Sequence, residues 1–143
     1  MIRATYDTNT LVSGATISQG PISFIMNAWI NDDVEMVTSE PLINELSRTL
    51  EKPYFASRLT QKQARSFVNL VRDHAIIVRV TTPIPKAATH PEDDIVLATA
   101  DSGKASYIVT GDHGLQSLGR FKTIRIVDPR TFGEFLQAES VAK

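Results

Sequence analysis

Thr5-Tyr6-Asp7-Thr8-Asn9-Thr10-Leu11-Val12-Ser13-Gly14 is the stretch whose reading decides the fold. The chain enters it through Ile2 to Tyr6, an apolar-leaning run that reads as a strand and stops at an acid. Small hydroxyl and amide residues then lead into a helix over residues 10–18. In an open α/β sheet the crevice lies outside the carboxyl ends of the strands. A carboxylate that closes a buried first strand therefore stands where a cation or a phosphate is held.

Outward from this strand, strands alternate with helices. Gln19-Gly20-Pro21 punctuates the chain before a helix over 22–30, whose Phe24, Ile25, Ala28 and Trp29 are expected in the core, and Asn31-Asp32-Asp33 turns it. A second strand covers 35–38. Ser39 caps a helix with Glu40 and Pro41 in its first turn and a stripe of Leu42, Ile43, Leu46 and Leu50, ended by Lys52-Pro53. From Thr60 a further helix puts Ala64, Phe67, Val68 and Val71 on a dry face, and Lys62, Arg65, Asn69 and Arg72 on a basic one. Residues 75–80 are β-branched and predict a third strand, followed by a loop marked by Pro83 and Pro85. Pro91 opens a helix with Glu92, Asp93 and Asp94 in its first turn, where negative charge suits the helix dipole, and its body from Ile95 to Ala100 is almost wholly apolar. A fourth strand over 107–110 ends in Gly111-Asp112, a fifth covers 123–127, and a last helix runs from Pro129 or Arg130 to Gln137. The tail after about residue 138 is expected to fray. This alternation predicts a parallel sheet sandwiched between helices.

Composition sets the limits. The chain of 143 residues is 42% hydrophobic and 22% charged, which suits one globular domain, 1–143, able to close a core. It has no cysteine, so disulfide frameworks and thiolate metal sites are excluded. No apolar run approaches the roughly 20 residues of a membrane span, and Met1-Ile2-Arg3 enters a strand without a signal-peptide pattern. A cytoplasmic protein with no membrane association is expected. The net charge of −1 is poor for nucleic acid, but if four of the 16 acids serve one metal site, 15 basic residues face 12 acidic ones elsewhere.

Four elements each offer a carboxylate to one end of the sheet. Asp7 ends the first strand, Asp112 follows the fourth, Asp93 or Asp94 opens the apolar helix, and Glu45 lies mid-helix at the edge of the leucine stripe. Crowded carboxylates repel, and hard oxygen ligands of this charge suit Mg²⁺ or Mn²⁺. The matching chemistry is metal-assisted phosphodiester hydrolysis with one or two ions. Each acid also has an ordinary use. Asp7 is a natural cap, Glu45 joins Arg48 and Lys52 on a solvated face, Asp93 and Asp94 serve the dipole, and Gly111-Asp112-His113-Gly114 makes a turn. His74 and His90 read as structural or surface residues, while His113 adjoins the acids. Tyr54 and Phe55, in a proline-marked turn, are exposed candidates for stacking or a dimer contact.

Taken in order, Asp7-Thr8-Asn9 with Leu11-Val12-Ser13-Gly14, then Ile43-Asn44-Glu45-Leu46, Asp93-Asp94-Ile95-Val96-Leu97-Ala98-Thr99-Ala100 and Tyr107-Ile108-Val109-Thr110-Gly111-Asp112 resemble the successive motifs of PIN-domain ribonucleases. The resemblance is greatest to the branch that contains VapC toxins of toxin–antitoxin pairs. It implies a three-layer α/β/α sandwich with a central mainly parallel sheet of four to five strands, Mg²⁺ or Mn²⁺ dependence and cleavage of RNA. It also implies a homodimer and a small antitoxin partner. Asp7, Glu45, Asp93 and Asp112 match the acidic quartet, as metal ligands and catalytic residues. Thr110 and Asn9 match supporting polar residues, and Asp94 is the alternative to Asp93. Where many relatives carry a further aspartate, this chain has Gly114, which leaves the second ion in question. Lys62, Arg65 and Arg72 are the candidate RNA contacts.

Two other readings compete. A haloacid-dehalogenase-type phosphatase also begins with a strand-ending aspartate, but it wants an acid where this chain has Asn9, and the chain is short for it. A PIN fold that binds RNA or protein without cleaving is the other, supported by Gly114.

Overall fold

The computed structural model describes residues 1–83 and 91–142. Pro85 of the expected loop and His90 lie outside these described residues. Among them, six strands form one sheet: β1 (Ile2–Tyr6), β2 (Val34–Thr38), β3 (Ile76–Ile77), β4 (Tyr107–Val109), β5 (Arg120–Phe121) and β6 (Ile124–Val127). Their order is β3-β2-β1-β4-β6-β5, and every pairing is parallel except β5 with β6. The helices are α1 (Thr8–Thr16), α2 (Gly20–Ile30), α3 (Glu40–Leu50), α4 (Pro53–Ala56), α5 (Gln61–His74), α6 (Pro91–Ser102), α7 (His113–Gln116) and α8 (Pro129–Ala142). The expected mainly parallel α/β sandwich is therefore present, with one strand more than predicted.

The strand pleat sorts residues between two layers. Ala4, Tyr6, Met36 and Val109 face the layer that contributes Leu11, Ile25, Trp29, Leu46 and Phe132. Ile108, Ile124 and Ile126 face the other, packed with Val96, Leu97 and Ala100 of α6 and Leu115 of α7. The body of α6 is buried from Val96 to Ala100, as its apolar run predicts. Tyr6 donates its hydroxyl to the Ile25 carbonyl at 2.9 Å, which locks β1 to α2, and burial pushes the phenol's pKa up so that it keeps its proton.

Several boundaries moved for local reasons. The first helix starts at Thr8 rather than Thr10, because Asp7 caps it directly by accepting from the Thr10 amide at 2.9 Å. The third strand shrinks from 75–80 to Ile76–Ile77, which pair with Val37 and Thr38 at the end of β2. Pro53, expected only to stop a helix, also opens α4, and Asp112 caps the one-turn α7 within the expected turn. The last helix is assigned over Pro129–Ala142, beyond the expected Gln137, and is started by Asp128, which accepts from the Thr131 amide at 2.7 Å. Trp29 is buried as expected, but Phe24 is 41% exposed and Phe67 half-buried. No described helix is long and apolar enough to cross a membrane.

The chain leaves β1 in one direction to β2 and β3, then returns through α6 to β4 on β1's other side. The sheet order therefore reverses between β1 and β4, and the crevice of such a sheet opens at that point. The end of α6 is pinned at the amino side of the sheet, where Arg3 donates to the Gly103 carbonyl at 3.0 Å. Its 12 residues, at a rise of about 1.5 Å each, carry its first turn roughly 18 Å away toward the carboxyl ends.

Candidate functional site

The site is built where β1 and β4 run side by side. The Asp7 amide donates to the Val109 carbonyl at 3.1 Å, so the last turn of β1 is registered on the end of β4. Asp7 is 4% exposed, and its carboxylate is held from two sides. One oxygen accepts from the Thr10 amide and the other from the Thr110 hydroxyl. Thr110 in turn accepts from the Asp112 amide at 2.9 Å, and Gln116 donates to the Thr110 carbonyl at 2.7 Å. Asp112 is half-buried and accepts from the Leu115 amide at 2.7 Å. Asp7, Thr110 and Asp112 thus form one connected unit.

Its electrostatics are unbalanced. Burial pushes the Asp7 carboxyl above its ordinary range, the bonds from Thr110 and Thr10 pull it back, and the neighbouring Asp112 charge pushes it up again. The hydroxyl of the next residue, Thr8, is buried without a hydrogen-bond partner among the described residues, as are those of Thr5 and Thr38. A buried carboxyl with a second acid beside it is a place that gains from a cation. The donors are oxygens, which suit Mg²⁺ or Mn²⁺, and Mg²⁺ is commonly held by one or two carboxylates while it keeps several waters.

The other candidates lie on helices around this unit. Glu45 is half-buried on α3, which packs against α1 and α6. Asp93 and Asp94 stand in the first turn of α6; Asp94 is buried and Asp93 half-buried. Ser39, the cap of α3, shares a 2.8 Å buried hydrogen bond with Thr99 of α6, which ties the two helices together. Among the described residues no three acids or histidines gather closely enough to form a metal group. The geometry joins Asp7 to Asp112 and leaves Glu45 and Asp93 on adjoining elements.

Lys62 and Arg65 are exposed on α5, but Arg72 is engaged, with its guanidinium 2.6 Å from Glu40. Asn9 and His113 are exposed and share an open hollow of about 310 Å³ with Thr10, Ser13, Ile22, Gly111, Asp112 and Pro129. Sequence reasoning passed over Thr10, Ser13, Ile22 and Pro129 as site residues. Thr10 carried a signal, since it stands three residues after a capping aspartate; the others come from helices that only the fold brings together. A larger groove of about 660 Å³ between α3 and α5 includes Arg65 and none of the four candidate acids.

Comparison with known proteins follows the same lines. The model of the PIN domain family matches residues 3–114. No curated protein matches the sequence. Among solved structures, PAE2754 from Pyrobaculum aerophilum is similar with a TM-score of 0.64 at 17% identity, over 96% of this chain and 90% of that one. The VapBC2 structure from Rickettsia felis, bound to a DNA fragment from its promoter, gives 0.58 at 12% identity, over 89% and 98%. Mycobacterium tuberculosis VapC20, a toxin that cleaves the sarcin-ricin loop, gives 0.58 at 12%, over 85% and 98%. At these identities the likeness is one of fold.

Proposed function

Since the chain belongs to the PIN domain family, which matches residues 3–114, we propose that it is a metal-dependent endoribonuclease and the toxin of a type II toxin–antitoxin pair. The observation that supports this most is the Asp7–Thr110–Asp112 unit at the reversal of strand order, an acidic pair with one member buried. Asp7 and Asp112 would hold a Mg²⁺ or Mn²⁺ ion, with Glu45 and Asp93 as the further ligands and Asp94 the alternative. When bound, such an ion supplies Lewis-acid chemistry, polarising a phosphate oxygen and making water a better nucleophile near neutral pH.

The protein's own part is to place and fix these groups. Thr110 holds Asp7 through its hydroxyl and Asp112 through that residue's amide, so the two carboxylates are set relative to each other before substrate arrives. No side chain is required as a covalent nucleophile, which separates this reading from an aspartyl-phosphate mechanism. Asn9 agrees, since it stands exposed where a phosphatase needs an acid.

The test is cleavage of RNA by the purified protein with Mg²⁺, with Mn²⁺ and with EDTA, beside the Asp112→Asn variant. Cleavage with either ion is expected, lost in EDTA and in the variant. Tight RNA binding without cleavage by the folded wild type would overturn the enzyme reading and leave a binding module. The partner is proposed to be a small antitoxin, and co-expression with a short adjacent reading frame should relieve growth arrest. A homodimer is proposed as well, consistent with the exposed Ile17, Phe24 and Ile30 on and beside α2. Light scattering over a range of concentrations decides it.

A further inference from the structure

The hollow beside the acidic unit has a composition of its own. Among the described residues Asp112 is the single charged residue in its lining, with no lysine or arginine beside it. Its carboxylate repels a phosphate, and the small polar and apolar groups around it suit the uncharged part of a nucleotide. Its volume of about 310 Å³ is at the small end of the range for ligand pockets, roughly 300 to 1,000 Å³. The rim is fixed: the Thr10 hydroxyl donates to the Val109 carbonyl at 3.2 Å, and Asp112 is held by the Leu115 amide. Ile22 and Pro129 give it an apolar side. Asn9 offers an exposed amide, with one acceptor and two donors, and His113 an exposed imidazole, the one aromatic face among the described lining residues.

We propose that this hollow is a nucleotide subsite for single-stranded RNA, which takes the base and ribose next to the scissile phosphate, with His113 as stacking face and Asn9 as hydrogen-bonding edge. Unpaired bases are recognised in this way, by stacking on aromatic side chains and by hydrogen bonds to their edges. Asp112 belongs to both the hollow and the acidic unit, so a base seated here leaves its phosphate beside the carboxylates. The inference rests on the ribonuclease reading for the scissile phosphate, whereas binding itself is independent of cleavage.

The experiment titrates ¹⁵N-labelled protein in EDTA with the uncharged nucleosides adenosine and uridine, and measures KM and kcat on a short single-stranded RNA in Mg²⁺. Amide shifts are expected at Asn9, Gly111 and His113. His113→Ala should weaken nucleoside binding and raise KM about tenfold with kcat near wild type, and His113→Phe should restore both. Gly111→Val is the second variant, because a Cβ there enters open space in the lining of the hollow, and its circular dichroism and melting temperature report whether the fold is kept. It should block the hollow and remove the shifts. Shifts confined to other surfaces, or unchanged KM in both His113→Ala and Gly111→Val, overturn the subsite. If shifts appear in the hollow but the wild type cleaves no RNA, the ribonuclease reading falls while the subsite stands.

Discussion

Asp7 carries two duties at one position, capping α1 and supplying charge to the crevice, and the two can be separated chemically. Asparagine caps a helix as well as aspartate does, so Asp7→Asn should keep the fold while losing cleavage. The displaced titration gives a further sign. Because burial raises this carboxyl above 3.8, the folded protein holds a proton where the unfolded chain has released it. Its contribution to stability is therefore greatest at low pH and declines as pH rises through the folded pKa. In EDTA, thermal melts of the wild type should lose stability across that window, and the Asp7→Asn variant should lack that component. The meeting of Asp7 and Asp112 at the ends of two strands was legible in the sequence, because each stands just beyond a β-prone run. Glu45 and the choice between Asp93 and Asp94 were not, because a carboxylate within a helix has the same pattern whether it faces solvent or a site. Arg72 shows the converse: its spacing placed it on a basic face, and only the fold brought Glu40 to it from another helix.

At the scale of elements, α6 is positioned by close approach. A Cβ on Gly103 would meet Val37 Cγ1 at 2.2 Å, so the turn that follows α6 lies against β2 with no room for a methyl group. Gly103→Ala should destabilise the protein by about 1–3 kcal/mol in urea unfolding, and should reduce cleavage too, because the helix that bears Asp93 shifts with it. The start of α5 offers a contrast. Thr60 and Gln63 form a reciprocal capping box at 3.0 and 2.9 Å, and Thr60→Ala should cost about 1 kcal/mol in the same assay with cleavage intact. Long amphipathic helices such as α3 and α5 announced themselves by periodicity. The four-residue α4 and α7 and the two-residue β5 could not, since none spans enough residues to show a period. The extent of β3 is set by where the chain meets the end of β2, which no property of residues 75–80 records.

For the whole molecule, a chain of net charge −1 must meet a polyanion through local groups. Salt dependence of RNA binding reports how many cations take part. Lys62→Ala and Arg65→Ala should each lower the slope of log K against log salt by about 0.7, whereas Arg72→Ala, already paired with Glu40, should leave it nearly unchanged. Equal slopes for all three variants would remove α5 from the RNA path. The sheet itself carries a last consequence. Both of its margins close on two-residue strands, β3 on one side and β5 on the other. A long bare margin presents a row of unpaired amides and carbonyls on which another chain can template itself, and very short margin strands are one of the ways that proteins deny it. Self-association by sheet extension, and the fibrous aggregation that follows from it, are thereby disfavoured in this fold.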